Sequence, residues 1–176
     1  MKKQDISENQ VNLVYLALGS NLGNKKTNLN KCIDLIKKEE IFIKKRSKFY
    51  STKSWPNKNF PNFINAIILV ETKFSITELF LKIKKIEKKL GRTKSKRNHP
   101  RVCDIDIIDF NGDIINRKLK NHKLSVPHKR MHNRNFVLFP LFELNKDWVH
   151  PKLNRNIVIL MTNLTNEQLL GIKIAQ

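Results

Sequence analysis

The order in which strand-like and helix-like segments follow one another constrains the fold of this chain more than any other feature. Residues 11–18, 41–50, 63–72 and 103–110 are rich in β-branched and aromatic residues or alternate in polarity, which predicts four strands. Apolar residues recur at helical spacing between them, and Asn24 or Thr27 is placed to cap a first helix that ends near residue 38. Ser75 and Glu78 match a capping box, and the second helix is expected to stop at Gly91. The resulting β-α-β-β-α-β order predicts a ferredoxin-like α+β core, an antiparallel sheet with helices on one face.

The rest of the chain adds further strand and helix elements at the C-terminal end. Asn111 and Gly112 form a turn signal, after which residues 114–115 are expected to return as a short strand. A loop is expected from Pro127, residues 136–142 are strongly apolar, and Asn154 is placed to cap a helix through residue 164. No repeat, linker or change of composition interrupts the sequence. Residues 11–176 are therefore expected to form a single domain after a frayed polar tail, residues 1–10.

The formal net charge of +20 points either to an anionic partner or to a bias in composition. Nucleic acid, an acidic membrane surface and a nucleotide substrate all carry suitable charge. The abundance of Lys, Asn and Ile is equally the pattern of an AT-rich genome, and drift alone would supply much of the excess. The total charge leaves these explanations open, so local clusters of charge are more informative.

Two features bear on the compartment in which the chain is expected to act. Cys32 and Cys103 lie far apart without metal-ligand spacing, which argues against a disulfide framework or a zinc site and fits a reducing cytoplasm. The apolar run at 11–18 follows Asp5 and Glu8 and lacks a small-residue cleavage pattern, so it is interpreted as a buried strand and not as a signal peptide. No segment is long enough to span a bilayer. We therefore expect a cytoplasmic protein without a membrane partner.

Asp104 and Asp106 are the clearest candidates for chemistry. Positions two apart on a strand point to the same face, so the two carboxylates repel each other unless a cation lies near both. A pair of Mg²⁺ ions is the natural candidate, and Arg92 and Arg101, which flank a basic loop, offer planar guanidinium groups suited to phosphate. The alternative without a function is that Asp104 and Asp106 are surface acids on an edge strand and pair with lysines. Because the residues between and after them are apolar, we favour a site for phosphoryl transfer from a nucleotide.

Other polar residues are weaker candidates when each is taken alone. Asn65 stands in an apolar strand, where a buried amide needs partners that a ligand would supply. The Gly-Ser-Asn-Leu-Gly turn at residues 19–23 matches neither a P-loop nor a dinucleotide fingerprint, so we interpret it as a structural turn. His128 and His132 are four residues apart, but no Glu is placed as in H-E-x-x-H, which argues against zinc. His128 lies in a basic loop with Arg134 and fits phosphate contact better.

Five motifs follow one another along the chain. They are VYLALGSNLG at 14–23, FINA at 63–66, IE with LGR between 86 and 92, PRVCDIDII at 100–108, and VPH with NRNF and PLFE between 126 and 143. In order and spacing they resemble the 6-hydroxymethyl-7,8-dihydropterin pyrophosphokinase family of the folate pathway. The resemblance covers roughly residues 13–151, nearly the whole chain.

The resemblance implies a ferredoxin-like, mostly monomeric enzyme that transfers the β,γ-diphosphate of ATP to the pterin hydroxymethyl group and releases AMP. Carried over to this sequence, Asp104 and Asp106 hold two magnesium ions, and Arg92 and Arg101 contact the phosphates and stabilise developing charge. The residues implied for ATP binding are Glu87, Lys94, Arg101, Ser125, His128 and Arg134. Those implied for pterin binding are Thr52, Trp55, Phe63, Asn65 and Phe136, with the two phenylalanines sandwiching the ring.

Two other functional classes use some of the same features. An RNA-binding module of this topology would use the positive charge, but it stacks bases on sheet aromatics where this chain has Asp104 and Asp106. A two-metal nuclease would use the paired carboxylates but would give no purpose to Phe63, Asn65 and Phe136. We expect small-molecule substrates and no nucleic-acid partner.

Overall fold

The computed structural model describes residues 10–54, 57–92, 99–119 and 122–176. The tail expected at residues 1–10, apart from Gln10, lies outside the described residues, as do Trp55 and Lys94. The elements in chain order are β1 (Asn12–Ser20), α1 (Lys25–Lys38), β2 (Phe42–Arg46), β3 (Tyr50–Thr52), β4 (Phe63–Thr72), α2 (Ile76–Lys89), β5 (Asp104–Phe110), β6 (Ile115–Leu119), β7 (His122–Val126), α3 (Asn135–Leu144), β8 (Val149–His150), β9 (Arg155–Asn156), α4 (Ile157–Thr162), α5 (Asn166–Leu170) and β10 (Ile172–Ile174).

The main sheet of the described residues is antiparallel and runs in the order β10-β3-β4-β1-β5, with β2 also paired to β4. β1 and β4 are its central strands, and they are apolar over almost their whole length. Such strands are buried on both faces. Two small ladders, β6-β7 and β8-β9, lie outside this sheet. The overall architecture is a mixed α/β fold around an antiparallel sheet.

Local sequence signals explain where the first two helices begin. Asn24 caps α1, because its side chain accepts a hydrogen bond from the backbone N–H of Thr27 at 3.1 Å. The capping box predicted for α2 is confirmed, since Ser75 and Glu78 each accept a hydrogen bond from the backbone N–H of the other. Gly91 follows with φ +87°, a left-handed conformation that glycine adopts without strain.

The hydrophobic core has two layers, one on each face of the sheet. Leu16 of β1 faces α1 and α2, whereas its neighbour Tyr15 faces α3 and α4. The two helices of the predicted core, α1 and α2, cover one face, and α3 and α4 form a second helical layer on the other face that the sequence did not indicate. Among the described helices, none combines the length and apolar character that a membrane span requires.

Three local predictions are also corrected. The strand predicted at 41–50 is two strands, because the buried Ser47 interrupts the ladder and its side chain accepts the hydrogen bond of the Ile67 N–H at 3.0 Å. Asn154 cannot cap a helix, since it has φ +50°, and Asn156 caps α4 in its place. The short strand expected at 114–115 is the start of a full hairpin, β6-β7, whose second strand was not foreseen before the loop at Pro127.

Candidate functional site

The candidate site spans three neighbouring strands of the main sheet. Gly19 of β1 lies opposite Asn65 of β4 on one side and opposite Asp104 of β5 on the other. Residues directly opposite each other share a face of the sheet, so Asn65 and Asp104 flank Gly19 on one face. A Cβ atom at Gly19 would lie 3.1 Å from Asn65 Oδ1 and 3.7 Å from the Phe63 ring, so a side chain at this position would press on the Asn65 amide. The strand register thus places the predicted ring-binding and phosphate-binding residues side by side.

Both carboxylate oxygens of Asp104 accept hydrogen bonds from arginine side chains. Arg92 donates to Oδ1 at 2.6 Å, and Arg101 donates to Oδ2 at 2.8 Å. Burial by itself would raise the pKa of Asp104, but Arg101 and Arg92 outweigh it and lower that pKa below its usual range. Asp104 is therefore an ionised carboxylate held between two guanidinium groups, those of the two residues that flank the basic loop.

Asp106 lies in a less balanced environment than Asp104. Burial and the neighbouring charge of Asp104 raise the pKa of Asp106, although His128 and Arg134 act in the opposite direction. The Arg134 guanidinium is 3.7 Å from Asp106 Oδ2, longer than a hydrogen bond. A cation beside the two carboxylates would relieve their repulsion. In the described part of the chain no third His, Cys, Asp or Glu joins them, so a metal here would need ligands from water or substrate.

Glu87 lies beneath the acid pair and is 1% exposed. Its carboxylate accepts hydrogen bonds from the Ile105 N–H at 2.9 Å, from Lys84 Nζ at 2.8 Å and from Arg92. Burial raises the pKa of Glu87, against the pull of the two cations. The Glu87 carboxylate thus holds two site side chains, Lys84 and Arg92, and the backbone of Ile105 between the two acids. The contact between Glu87 and a nucleotide stays a prediction.

A cavity of about 310 Å³ opens beside Asp106. Its walls come from α2, β5, β7 and the loop after β7, namely Phe80, Lys84, Ile105, Asp106, Ile107, Lys123, Leu124, Ser125, His128, Lys129 and Arg130. Ser125 donates a hydrogen bond to Asn116 at 2.9 Å, and burial lowers the pKa of His128. The volume is at the lower end for a small-molecule site, and four of the lining residues are lysines or arginines, which suits a polyanion.

Of the predicted pterin-binding residues that the structure describes, Thr52 of β3 lies opposite Phe63 of β4. Asn65 is 5% exposed and donates from Nδ2 to Thr52 Oγ1 at 3.0 Å, while its Oδ1 has no hydrogen-bond partner among the described residues. Phe63 begins β4, and Phe136 lies in the first turn of α3, which packs on the β4 face. The two rings make no direct contact with each other in the described chain, and the Arg134 guanidinium lies 5.3 Å from the Phe136 ring centre.

The sequence reasoning missed Lys84 and assigned the turn at residues 19–23 no role in the site. Lys84 is three residues before Glu87 on α2, so helical spacing placed it on the same face and was the signal available. His132 lies in a 3-10 turn that does not include His128, and its ring centre is 5.8 Å from that of His150. Cys32 and Cys103 are both free and buried.

Comparison with known proteins identifies the family that this geometry fits. A family model described as 7,8-dihydro-6-hydroxymethylpterin-pyrophosphokinase (HPPK) matches residues 15–146. The 2-amino-4-hydroxy-6-hydroxymethyldihydropteridine pyrophosphokinase of Aquifex aeolicus is 38% identical over 138 residues, which covers 78% of this chain and 83% of that protein. The enzyme of the same name from Haemophilus influenzae is 35% identical over 138 residues, with 78% and 84% covered.

Larger proteins also contain a segment like this chain. A folic acid synthesis protein of Dictyostelium discoideum is 38% identical over 155 residues, which covers 88% of this chain but 23% of that protein. The crystal structure of a Plasmodium falciparum HPPK-DHPS triple mutant superimposes with a TM-score of 0.73 at 18% identity and covers 89% of this chain and 45% of that one. At that identity the superposition supports the fold alone, and the chain spans less than half the length of these multidomain relatives.

Proposed function

This chain belongs to the HPPK family, and from that membership we propose that it transfers the diphosphate group of ATP to the hydroxymethyl group of 6-hydroxymethyl-7,8-dihydropterin and releases AMP. The observation that carries the proposal is the row formed by Asn65, Gly19 and Asp104 across three strands. It puts a buried amide, whose Oδ1 has no hydrogen-bond partner among the described residues, beside a carboxylate and two arginines. One face of the sheet would thus hold the acceptor ring next to the phosphates.

The phosphate side of the site is proposed to include two Mg²⁺ ions held by Asp104 and Asp106. The donor set fits, because hard divalent cations take carboxylate oxygens, and the two acids are neighbours on one strand face. When bound, the metal would neutralise charge on the phosphate oxygens. Since Arg92 and Arg101 already donate to Asp104, a cation that takes its oxygens would free both guanidinium groups to bind phosphate.

The transfer step needs alignment and charge stabilisation more than proton removal. The hydroxymethyl oxygen bonds to the β-phosphorus of ATP, the bond from that phosphorus to the oxygen bridging to the α-phosphate breaks, and AMP leaves with that oxygen. The hydroxyl proton passes to water. Arg92 and Arg101 would stabilise the charge that develops, an effect typically worth about 10²–10³ in rate for each well-placed donor.

The remaining residues would hold the two substrates. Lys84, Ser125 and His128 line the cavity proposed for the nucleotide, with Arg134 beside Asp106, and Glu87 would keep Arg92 and Lys84 in place. For the pterin, Asn65 Oδ1 would accept a hydrogen bond from a ring N–H, and a flat heteroaromatic between two phenyl rings gains about 0.5–1.5 kcal/mol per pair beyond area burial. The rings proposed for this stack are those of Phe63 and Phe136.

We also infer a ferredoxin-like βαββαβ core, with residues 11–176 as one domain. The order β2-β4-β1-β5, with α1 and α2 as crossovers on one face, supports that topology. Both hydrophobic layers pack on the same sheet, as expected of a single domain. We propose that the protein acts as a monomer, with every substrate contact supplied by one copy of the chain.

The direct test is to incubate the protein with ATP and Mg²⁺, with and without 6-hydroxymethyl-7,8-dihydropterin, and to separate nucleotides by anion exchange. The proposal predicts AMP, and no ADP, formed in proportion to the pterin consumed. AMP or ADP formed equally without pterin would contradict it. Degradation of RNA or DNA under the same conditions, without pterin turnover, would favour a nuclease, and tight RNA binding without ATP binding would favour the RNA module.

A further inference from the structure

Asn21 is a polar side chain that is fully buried, at 0% exposure, in the turn between β1 and α1. A buried amide is tolerated where its donor and acceptor groups are satisfied. The partners of Asn21 do not belong to its own turn. They lie in the two segments that enter β4 and β5, the strands that carry the two halves of the site.

Asn21 is bound to the backbone of Arg101 by a reciprocal pair of hydrogen bonds. The side-chain Oδ1 accepts from the Arg101 N–H at 2.8 Å, and the backbone N–H of Asn21 donates to the Arg101 carbonyl at 3.1 Å. On its other side, Nδ2 donates to the Pro61 carbonyl at 3.5 Å, a longer and weaker contact. Arg101 binds Asp104 through its guanidinium, and Pro61 lies two residues before Phe63. One amide therefore joins the segment that leads to the acid pair with the segment that leads to the predicted ring-binding residues.

We propose that Asn21 is a positioning residue that sets the placement of the diphosphate donor relative to its acceptor. The inference rests on the diphosphate transfer proposed above. Each substrate would keep its own binding residues without the Asn21 side chain, but the segment before β5 would keep only the backbone bond at Asn21, and the side-chain link between the two segments would be lost. Reacting atoms must approach to about 3–3.5 Å, and a misplacement of about 1 Å can cost a hundredfold in rate.

The turn itself does not depend on the Asn21 side chain. Asn28 of α1 closes the turn, because its Nδ2 donates to the Leu22 carbonyl at 2.7 Å and to Ser20 Oγ at 3.3 Å. Lys25 also donates to the Asn62 carbonyl at 3.0 Å, which keeps the segment before β4 near α1. Loss of the Asn21 amide should therefore loosen the link between the half-sites more than the fold. Asn28 offers a matched control, an asparagine of the same region with two hydrogen bonds that reach neither half-site.

The test compares Asn21→Ala, Asn21→Asp and Asn28→Ala with the natural protein in steady-state AMP formation, with the melting temperature of each variant. For Asn21→Ala we expect kcat to fall about 10- to 100-fold while KM for ATP and for the pterin each change less than about threefold. Asn21→Asp keeps an acceptor for the Arg101 N–H and loses the donor to Pro61, so its kcat should lie between. Asn28→Ala should have the kcat of the natural protein and differ from it only by a lower melting temperature.

Several results would overturn the proposal. They are an unchanged kcat in Asn21→Ala, a loss confined to KM, or an equal fall of kcat in Asn28→Ala. If Asn21→Ala does not fold, the Asn21→Asp variant tests the proposal instead. A kcat equal to that of the natural protein would contradict the positioning role of Asn21, and a lower kcat at unchanged KM would support it. An inactive natural protein would instead refute the proposed function, so the two failures are distinct. Hydrogen exchange at the Arg101 amide, measured without substrates, should be faster in Asn21→Ala than in Asn28→Ala.

Discussion

Replacing Glu87 by alanine should destabilise the protein more than any comparable loss of a surface carboxylate. The substitution leaves the Ile105 N–H, in a residue that is 2% exposed, without its acceptor, which typically costs about 1–3 kcal/mol. It also removes a carboxylate that pairs with Lys84 and with Arg92, although Arg92 keeps its ion pair with Asp104. Breaking a fully buried ion pair costs about 3–5 kcal/mol, but both cations are 30% exposed and can regain water. We therefore expect a total of about 3 kcal/mol, at the lower end of that range.

Two further variants separate the parts of this value. Glu87→Gln can keep an oxygen acceptor for the Ile105 N–H while losing the charge, and should cost about 1–2 kcal/mol. Glu39→Ala is the matched control, because Glu39 also pairs with two lysines, Lys82 at 3.1 Å and Lys89 at 3.1 Å. Those pairs are partly exposed, and among the described residues the Glu39 carboxylate accepts from no buried backbone N–H, so the control should cost less than about 1 kcal/mol.

The assay is unfolding in urea at pH 7, monitored by circular dichroism. The free energy of unfolding is obtained by linear extrapolation to zero urea, with the same slope m for all variants. The order Glu87→Ala, Glu87→Gln, Glu39→Ala, from most to least destabilised, supports the description of Glu87 as a buried acceptor under the site. Equal losses in Glu87→Ala and Glu39→Ala would refute it, since the Ile105 N–H would then contribute nothing measurable.

Three further predictions concern the pH dependence of stability, substrate affinity and thiol reactivity. Burial lowers the pKa of His150, whose Nδ1 accepts hydrogen bonds from two backbone N–H groups at 3.1 and 3.3 Å. The neutral imidazole therefore contributes stability above the unfolded pKa of about 6.5, and this contribution is lost as the pH falls through the lower pKa of the folded state. Between pH 8 and pH 5 the free energy of unfolding in urea should therefore decrease less in His150→Asn than in the natural protein. The difference between the two slopes should be at most about 1.4 kcal/mol per pH unit. Asn65→Ala should raise the pterin KM about 10- to 100-fold through one lost hydrogen bond, with the KM for ATP unchanged in the same assay. Contact with the Cys32 thiol, together with burial, raises the pKa of Cys103, so a thiol reagent should label neither cysteine in the native protein and both in urea.

Each of these has a clear contrary result. An identical pH profile in His150→Asn would show that another group titrates. An Asn65→Ala variant with a raised KM for ATP and an unchanged KM for the pterin would show that Asn65 contacts the nucleotide and not the pterin. Rapid labelling of either cysteine at neutral pH would mean that the core around Cys103 opens easily.

Much of the fold followed from local patterns in the sequence. β1, β4 and β5 were predicted because their apolar residues form short runs bounded by turn signals, and α2 because a capping box precedes residues spaced for one helical face. The second helical layer was not predicted. α3 is apolar on almost every side and contains Pro140, so it has no amphipathic period, and a short apolar run does not distinguish helix from strand.

The boundaries that were wrong depend on contacts between distant residues. The break between β2 and β3 arises because Ser47 bonds to Ile67, twenty residues away, and no local signal marks it. Asn154 and Asn156 are the same residue type two positions apart, and backbone conformation decides which of them caps α4.

The candidate site was predictable where its residues are close in sequence. Arg101 and Asp104 are three apart, and their ion pair joins the basic loop to the acid strand. The row of Asn65, Gly19 and Asp104 was not predictable in the same way, because it depends on the register of three strands that are distant in the chain. The bond between Asn21 and Arg101 likewise spans 80 residues. Motif order suggested that these residues share a site, and the structure supplies the geometry.

The most direct measurement of the central claim is AMP formation by Asp104→Asn and Asp106→Asn, compared with Asp34→Asn, which changes an exposed carboxylate on α1. Both β5 variants should lose at least about a hundredfold in rate while keeping the melting temperature within a few degrees, because a neutral amide cannot hold a cation against phosphate. Asp34→Asn should match the natural protein. If either β5 variant forms AMP within about threefold of the natural rate, the acid pair is not the centre of the reaction.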